Sequence, residues 1–232
     1  MAGRTVREPL SRARVLAAAV ALVDAHGIQA LTMRRLAADL DVEAMSLYYH
    51  LRDKEALLDG VVEAVVAEIG DATAGPADDG DWRARLRRQF LAARQVMLRH
   101  PWAPALLGSR RTVPPGVYGY YDAIVGTLAG AGFSHHLAHR ALHAFGSMPL
   151  GFAQEIFSPA AGLEADVAEA DLTAMAAALP HVTAMVAAEI HDAADARLGW
   201  CDSQVEFEFT LDLLLNGLEG LRANGTVTTW AG

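Results

Sequence analysis

A single cysteine, Cys201, leaves the 232-residue chain without an intramolecular disulfide framework and suits a reducing compartment, where it reads as a small packed residue. No run approaches the roughly 18 consecutive apolar residues of a spanning helix, so the chain is expected to be soluble and cytoplasmic, with no membrane partner. Aromatic residues make up only 7%, and β-branched residues never cluster in alternating runs, which removes the usual strand signals. There is no glycine-rich phosphate loop, no Gly-x-Ser-x-Gly elbow and no Cys-His pair, so the common signatures of group-transfer enzymes are missing. What is abundant is alanine and leucine, within a hydrophobic content of 53% that can bury a sizeable core. These properties predict an all-α protein.

The formal charge of -9 is unevenly distributed. Residues 1–60 hold eight basic and eight acidic side chains, so 61–232 carry the whole -9. Within the neutral part the bases cluster: Arg4, Arg7, Arg12 and Arg14 form a basic tail, Arg34 adjoins Arg35, and Arg52 lies close to Lys54. Phosphate contacts need such clusters, while an acidic remainder discourages non-specific adhesion to DNA. The same tail followed by the apolar stretch Val15 to Val23 has the look of an export signal. That stretch runs directly into a patterned, capped segment with no clean small-residue cleavage site, so it is read as the first helix.

The first helix is expected over residues 11–26, with Val15, Leu16, Ala19, Leu22 and Val23 on one stripe and Gly27 as a left-handed cap. Thr32 is expected to cap a second helix, 33–40, and Asp41-Val42 to make a tight turn into a third, about 44–50. Asp53 then caps a fourth, roughly 54–70, with Leu57, Leu58, Val61, Val62 and Val65 buried. The stretch 70–80, rich in Ala, Gly and Asp, reads as a linker, which divides the chain into domains 1–70 and 81–232. Further helices are expected at about 82–99, 102–108, 115–131, 134–157 with Ser134 as cap, and 203–223. A loop at 158–180 with a short helix near 171–178, and another short helix within 180–196, complete the pattern.

A helix, a short turn and a short helix over 33–50 match the unit that sets a recognition helix in the major groove. Arg34 suits a bidentate pair with guanine, and Thr32, Tyr48 and Lys54 suit phosphate. Lys54 adds its charge to the positive end of the fourth helix.

The run Gly27-Ile28-Gln29-Ala30-Leu31-Thr32-Met33-Arg34-Arg35-Leu36-Ala37, then Val42, then Ser46-Leu47-Tyr48-Tyr49-His50-Leu51-Arg52-Asp53-Lys54-Glu55-Ala56-Leu57-Leu58, resembles the DNA-binding domain of TetR-type repressors. The resemblance continues past Trp82, through Leu107-Gly108-Ser109-Arg110, Gly132-Phe133, Gly151 to Glu155 and the closing helix, as in the tetracycline-repressor branch. It implies an N-terminal three-helix helix-turn-helix domain followed by a helical ligand-binding and dimerisation domain. It further implies a homodimeric repressor of double-stranded operator DNA, released when a small-molecule inducer shifts the fourth helix. Carried over residue by residue, base contacts fall on Arg34, Ala44, Met45, Ser46, Tyr48 and Tyr49, and phosphate contacts on Thr32, His50 and Lys54. Ala44 departs from the family, which has an amide there, so the operator should be read partly through thymine methyls.

By the same resemblance the inducer pocket is lined by Gln89, Leu106, Ser109, Arg110, Tyr121, Ile124, His139, Met148, Phe152 and Glu155. The tetracycline pattern needs an imidazole for a drug-chelated magnesium where this chain has Leu106, so no metal or other cofactor is expected of the protein itself, while Glu155 matches the family's acidic position and leaves chelation through water open. The resemblance also implies that the last helix and that at 134–157 pair with their dimer mates. The leucine-rich stripe Phe207, Leu211, Leu214, Leu215, Leu218 and Leu221 asks for a partner surface as well. A rival reading, a metal-binding or enzymatic protein, comes from His135, His136, His139 and His143, whose four-residue spacings put three imidazoles on one face. His136 stands where the His-Glu-x-x-His pattern needs its general-base glutamate, and no further ligand is evident.

Overall fold

The computed structural model describes residues 9–75, 81–152, 177–181, 183–184 and 203–223. Its helices are α1 (Arg12–His26), α2 (Met33–Leu40), α3 (Ala44–Tyr48), α4 (Lys54–Thr73), α5 (Trp82–Arg99), α6 (Ala103–Ser109), α7 (Pro115–Gly130), α8 (His135–Gly151) and α9 (Ser203–Ala223). A 3-10 turn, Ile28–Ala30, links α1 to α2, and no strand occurs among the described residues.

The caps are side chains binding backbone N–H groups that the first turn leaves without partners. Ser11, Thr32, Asp53 and Ser134 each accept from the N–H three residues on, and Asp81 from that of Arg83. Gly27 has the positive φ of 78° expected of it, but its ψ of 163° is extended, so the chain passes straight into the 3-10 turn instead of curling into a left-handed cap. Asp41 does adopt the left-handed conformation, at φ 53° and ψ 51°, and Val42 is half-buried against the core.

Boundaries differ from expectation where tertiary contacts decide them. α3 ends at Tyr48, two residues early, and α4 runs to Thr73, its last turns held by the burial of Ile69 and by the Thr73 hydroxyl donating to the Ile69 carbonyl. α8 stops at Gly151, two residues after Pro149, which lies inside it. Residues 153–157, the tail arginines Arg4 and Arg7, Cys201 and most of 158–196 lie outside the described residues. Within 158–196, helical residues 177–178 and 180–181 flank Leu179.

Two cores organise the molecule. The first joins Val15, Leu36, Leu47, Leu57 and Val61 of α1–α4 to Ala93, Val96 and Met97 of α5, Leu106 of α6 and Val117 of α7. The second is built from α5, α7, α8 and α9 around Phe90, Ile124, Phe145, Phe207 and Leu211, with Phe90 and Phe145 stacked at 5.0 Å. α1 and α4 cross closely at Gly60, where a Cβ would lie 2.7 Å from Leu16 Cδ2.

Candidate nucleic-acid interface and the helices behind it

Leu36, Leu40, Leu47 and Leu51 anchor α2 and α3 from below, and Leu47 and Leu36 are fully buried. That burial turns the opposite side of α3 outward. Met45 is 70% exposed, Tyr49 89% and Tyr48 43%, while Ala44, Ser46 and His50 are half-buried along the same short helix and its exit turn. Large apolar and aromatic side chains held this far into water on a short, well-anchored helix are a surface shaped for contact. Thr32, Arg34 and Lys54 are also exposed, beside α3 at the starts of α2 and α4.

The basic clusters separate into two roles. Arg35 is paired with Asp39 at 3.2 Å and Arg52 with Asp53 at 3.1 Å. Arg34 and Lys54 have no such partner among the described residues. A surface pair is a weak bond, about 0–1 kcal/mol, but it orients the cation; an unpaired one remains open to a phosphate or a base edge. The Thr32 hydroxyl accepts the Arg35 N–H at 3.2 Å as a helix cap, which leaves its own O–H available to donate outward.

Behind this surface, α4 carries Glu55, Asp59 and Glu63 at four-residue spacing, and other elements grip all three. Arg110, just past α6, donates to Asp59 at 2.8 Å and Glu55 at 2.5 Å. Burial pulls the Arg110 pKa down, but the hydrogen bonds and charges of Glu55 and Asp59 outweigh it and the net shift is upward. Glu63 accepts from the Gly116 N–H of α7 and from Arg12 of α1, both at 2.9 Å. A Cβ at Gly116 would lie 2.9 Å from Glu63 Cγ, so glycine permits this approach. At the far end, buried His100 contacts Asp24 of α1 at 2.7 Å and Glu68 of α4 at 3.3 Å, while the Trp102 indole N–H donates to Asp24 at 2.7 Å. The acidic spacing on α4 was visible in the sequence; its partners, 51 to 55 residues away for Arg12, Gly116 and Arg110, were not.

The residues expected around an inducer fall into three groups. Ile124, Met148 and Phe152 lie in or against the second core, Leu106 and Tyr121 in or against the first, and Gln89 is buried on α5. Tyr120 packs against both cores. Burial raises the Tyr120 phenol well above its ordinary pKa and, with the nearby Tyr118, raises that of Tyr121. Ser109 and Arg110 do not join them: Ser109 is exposed, donating to the Leu106 carbonyl at 2.7 Å, and Arg110 is held by α4. His139 is likewise exposed, on the outer side of α8, because Ala138, Ala141 and Phe145 take the inner side. Glu155 lies outside the described residues. Leu106 is buried aliphatic packing, so the arrangement does not fit a drug-chelated magnesium ion.

The expectation for α9 is corrected in its particulars. Phe207, Leu211, Leu215 and Leu218 are buried within the chain itself, with Leu214 half-buried beside them. A second stripe, Val205, Phe209, Leu213, Gly217 and Leu221 at four-residue spacing, faces outward, and Phe209 and Leu213 are 64% and 60% exposed. Beside it, a groove of about 740 Å³ runs between α8 and α9, lined by Leu137, Arg140, Ala144, Leu213 and Leu221 among others. On α8 the histidines do not converge as three. His139 and His143 meet with their Nε2 atoms 3.0 Å apart, and no group of three or more His, Cys, Asp or Glu able to hold a metal occurs among the described residues.

Residues 75–222 match the family described as tetracyclin repressor-like, C-terminal domain, and residues 15–61 match bacterial regulatory proteins of the tetR family. The tetracycline repressor protein class C of Escherichia coli is 31% identical over 213 residues, 92% of each chain. A HTH-type transcriptional regulator of Saccharopolyspora erythraea is 35% identical over 125 residues, and the match spans about half, 51%, of that protein's length. Among solved structures, a possible TetR family transcriptional regulator from Streptomyces coelicolor superposes with a TM-score of 0.68 at 31% identity, covering 91% of this chain and 100% of the other. A TetR variant from Acinetobacter baumannii in complex with minocycline does so with a TM-score of 0.60 at 28% identity, covering 92% and 99%.

Proposed function

The chain belongs to the TetR family of ligand-responsive transcriptional regulators, and from this we propose that it is a repressor that binds a palindromic operator as a homodimer and is released by a small organic inducer. The observation that carries the reading is the outward side of α3, with Met45, Tyr48 and Tyr49 exposed on a fully buried Leu47 anchor and flanked by Arg34 and Lys54. In this reading the DNA-binding domain is 1–70 and the ligand-binding and dimerisation domain 81–232. Arg34, Ala44, Met45, Ser46, Tyr48 and Tyr49 read bases, while Thr32, His50 and Lys54 position the protein on phosphates. With Ala44 and Met45 offering only apolar contact, thymine methyls carry part of the specificity.

The inducer contacts residues of both cores, Leu106 and Tyr121 of the first and Ile124, Met148 and Phe152 of the second, together with buried Gln89. Apolar walls with a few polar groups suit an organic ligand of medium size, and the family's Glu155 position belongs to the same set. Binding there moves α6 and α7, which hold α4 through Arg110 and Gly116. α4 carries the DNA-binding head formed by α1–α3, so its displacement changes the separation of two recognition helices in a dimer. The outward stripe of α9 and the groove beside α8 supply the dimer surface, and Phe209→Asp is expected to convert dimer to monomer in sedimentation while the fold is retained. The protein is read as a regulator and not an enzyme.

Selection of genomic fragments with the purified protein, followed by footprinting at stated salt, tests this reading. A protected palindrome with half-sites placed for a two-fold dimer is expected. No enrichment over random DNA would overturn it.

A further inference from the structure

We propose that His139 and His143 form a two-imidazole chelate on the outer side of α8 for a divalent transition-metal ion of tetragonal preference, Cu(II) or Ni(II). The two Nε2 atoms approach to 3.0 Å and the ring centroids to 4.7 Å, one helical turn apart. Two nitrogens each about 2.0–2.1 Å from one ion lie about 2.9 Å apart at a right angle and about 3.3 Å apart at the tetrahedral angle. The observed spacing is that of an imidazole–imidazole hydrogen bond, and an ion that replaces the shared proton finds both nitrogens within ligating reach; with two imidazoles and water as ligands, the ions of tetragonal preference are the ones that suit the pair. Both rings are exposed and neither lines the groove beside α9 that is assigned to the dimer, so an ion reaches them from solvent and water completes its coordination.

Exposed on the outer side of α8, the two histidines lie apart from the core residues proposed for the inducer. His135, the third imidazole of the four-residue spacing, does not enter a three-ligand group with them. Neighbouring Arg140 is exposed and cationic, which disfavours an ion electrostatically; affinity must come from the two imidazoles in their neutral form. Occupancy closes a turn of α8 ahead of Pro149, whose missing N–H weakens the ladder of the same helix. The bound ion thus stiffens α8 and raises the melting temperature of the full chain by linkage.

The test is Cu(II) titration of the full-length protein, read by equilibrium dialysis and by electron paramagnetic resonance, on the parent and on His139→Asn, His143→Asn and His135→Asn. The expected result is a site with nitrogen hyperfine structure whose affinity falls about tenfold or more in His139→Asn and in His143→Asn and is unchanged in His135→Asn. Because all three positions are exposed, circular dichroism is expected to show each variant folded. Cu(II) binding unchanged in the His139→Asn/His143→Asn double variant, or lost in His135→Asn, overturns the assignment. An operator-binding defect would leave this result untouched, so failure of the repressor reading and failure of the metal site are distinguishable.

Discussion

In the head, Arg34 and Lys54 stand exposed with no acidic partner among the described residues, whereas behind it Arg87, Arg99 and Arg110 each hold carboxylates of other helices. Arg87 ties α5 to Glu208 and Asp212 of α9, and its hydrogen bond to Glu208 leads the causes that raise its pKa. Guanidinium groups thus serve two ends in one chain. Behind the head their charge is satisfied internally and their geometry locks helix to helix; in the head a cation is left for an external anion, beside relatives such as Arg35 and Arg52 that are held back by Asp39 and Asp53. A basic cluster in a sequence therefore does not say which of its members meets DNA.

The comparison between a packed scaffold and an open reading surface can be broken most forcefully from below. Leu47→Ala removes a fully buried side chain from α3 and is expected to cost about 2–5 kcal/mol, read as a lowered denaturation midpoint with loss of DNA binding. Truncating its exposed neighbour Tyr49 to Ala is expected to leave that midpoint within about 0.5 kcal/mol, since the side chain is 89% exposed. Equal destabilisation by both would remove the distinction.

Next in size is the contrast between adjacent arginines. Arg34→Ala is expected to weaken binding to the selected operator by about 1–3 kcal/mol with little change on random DNA, while Arg35→Ala, whose charge is paired with Asp39, has the smaller effect. Fluorescence anisotropy at fixed salt decides it, and a larger loss for Arg35→Ala would reverse the roles.

Arg110→Ala probes the other side of the comparison. Its partners Glu55 and Asp59 are 69% and 37% exposed, so stability should fall by about 1 kcal/mol or less. The inducer concentration needed to release operator should nonetheless change, because the hold of α6 on α4 is loosened. The smallest expected effect is that of Lys54→Ala, a uniform weakening on all sequences with a salt slope reduced by about 1, measured from binding across a salt series.

Much of the head was legible in the chain. Thr32 and Asp53 announce their helices by a local rule, an oxygen three residues ahead of an N–H, as Ser134 does for α8 behind the head, and Asp41 announces its turn by tolerance of positive φ. The periodic leucines and valines of α1 and α4 mark which side is buried, again a local property. The proposed inducer site was less legible. Arg110 was read as a ligand contact and is held by α4, and His139 was read as pocket lining and lies on the outer side of α8.

By itself the sequence determined the all-helical class, the helix-turn-helix and the buried positions of α1 and α4, because capping, turn chemistry and hydrophobic period act over a few residues. Only the tertiary structure decided which cations are bound and which are open, which carboxylates of α4 are gripped, and which stripe of α9 faces inward. Those outcomes depend on partners such as Asp24 and His100, 76 residues apart in the chain and 2.7 Å apart in the fold, and no local pattern encodes that meeting.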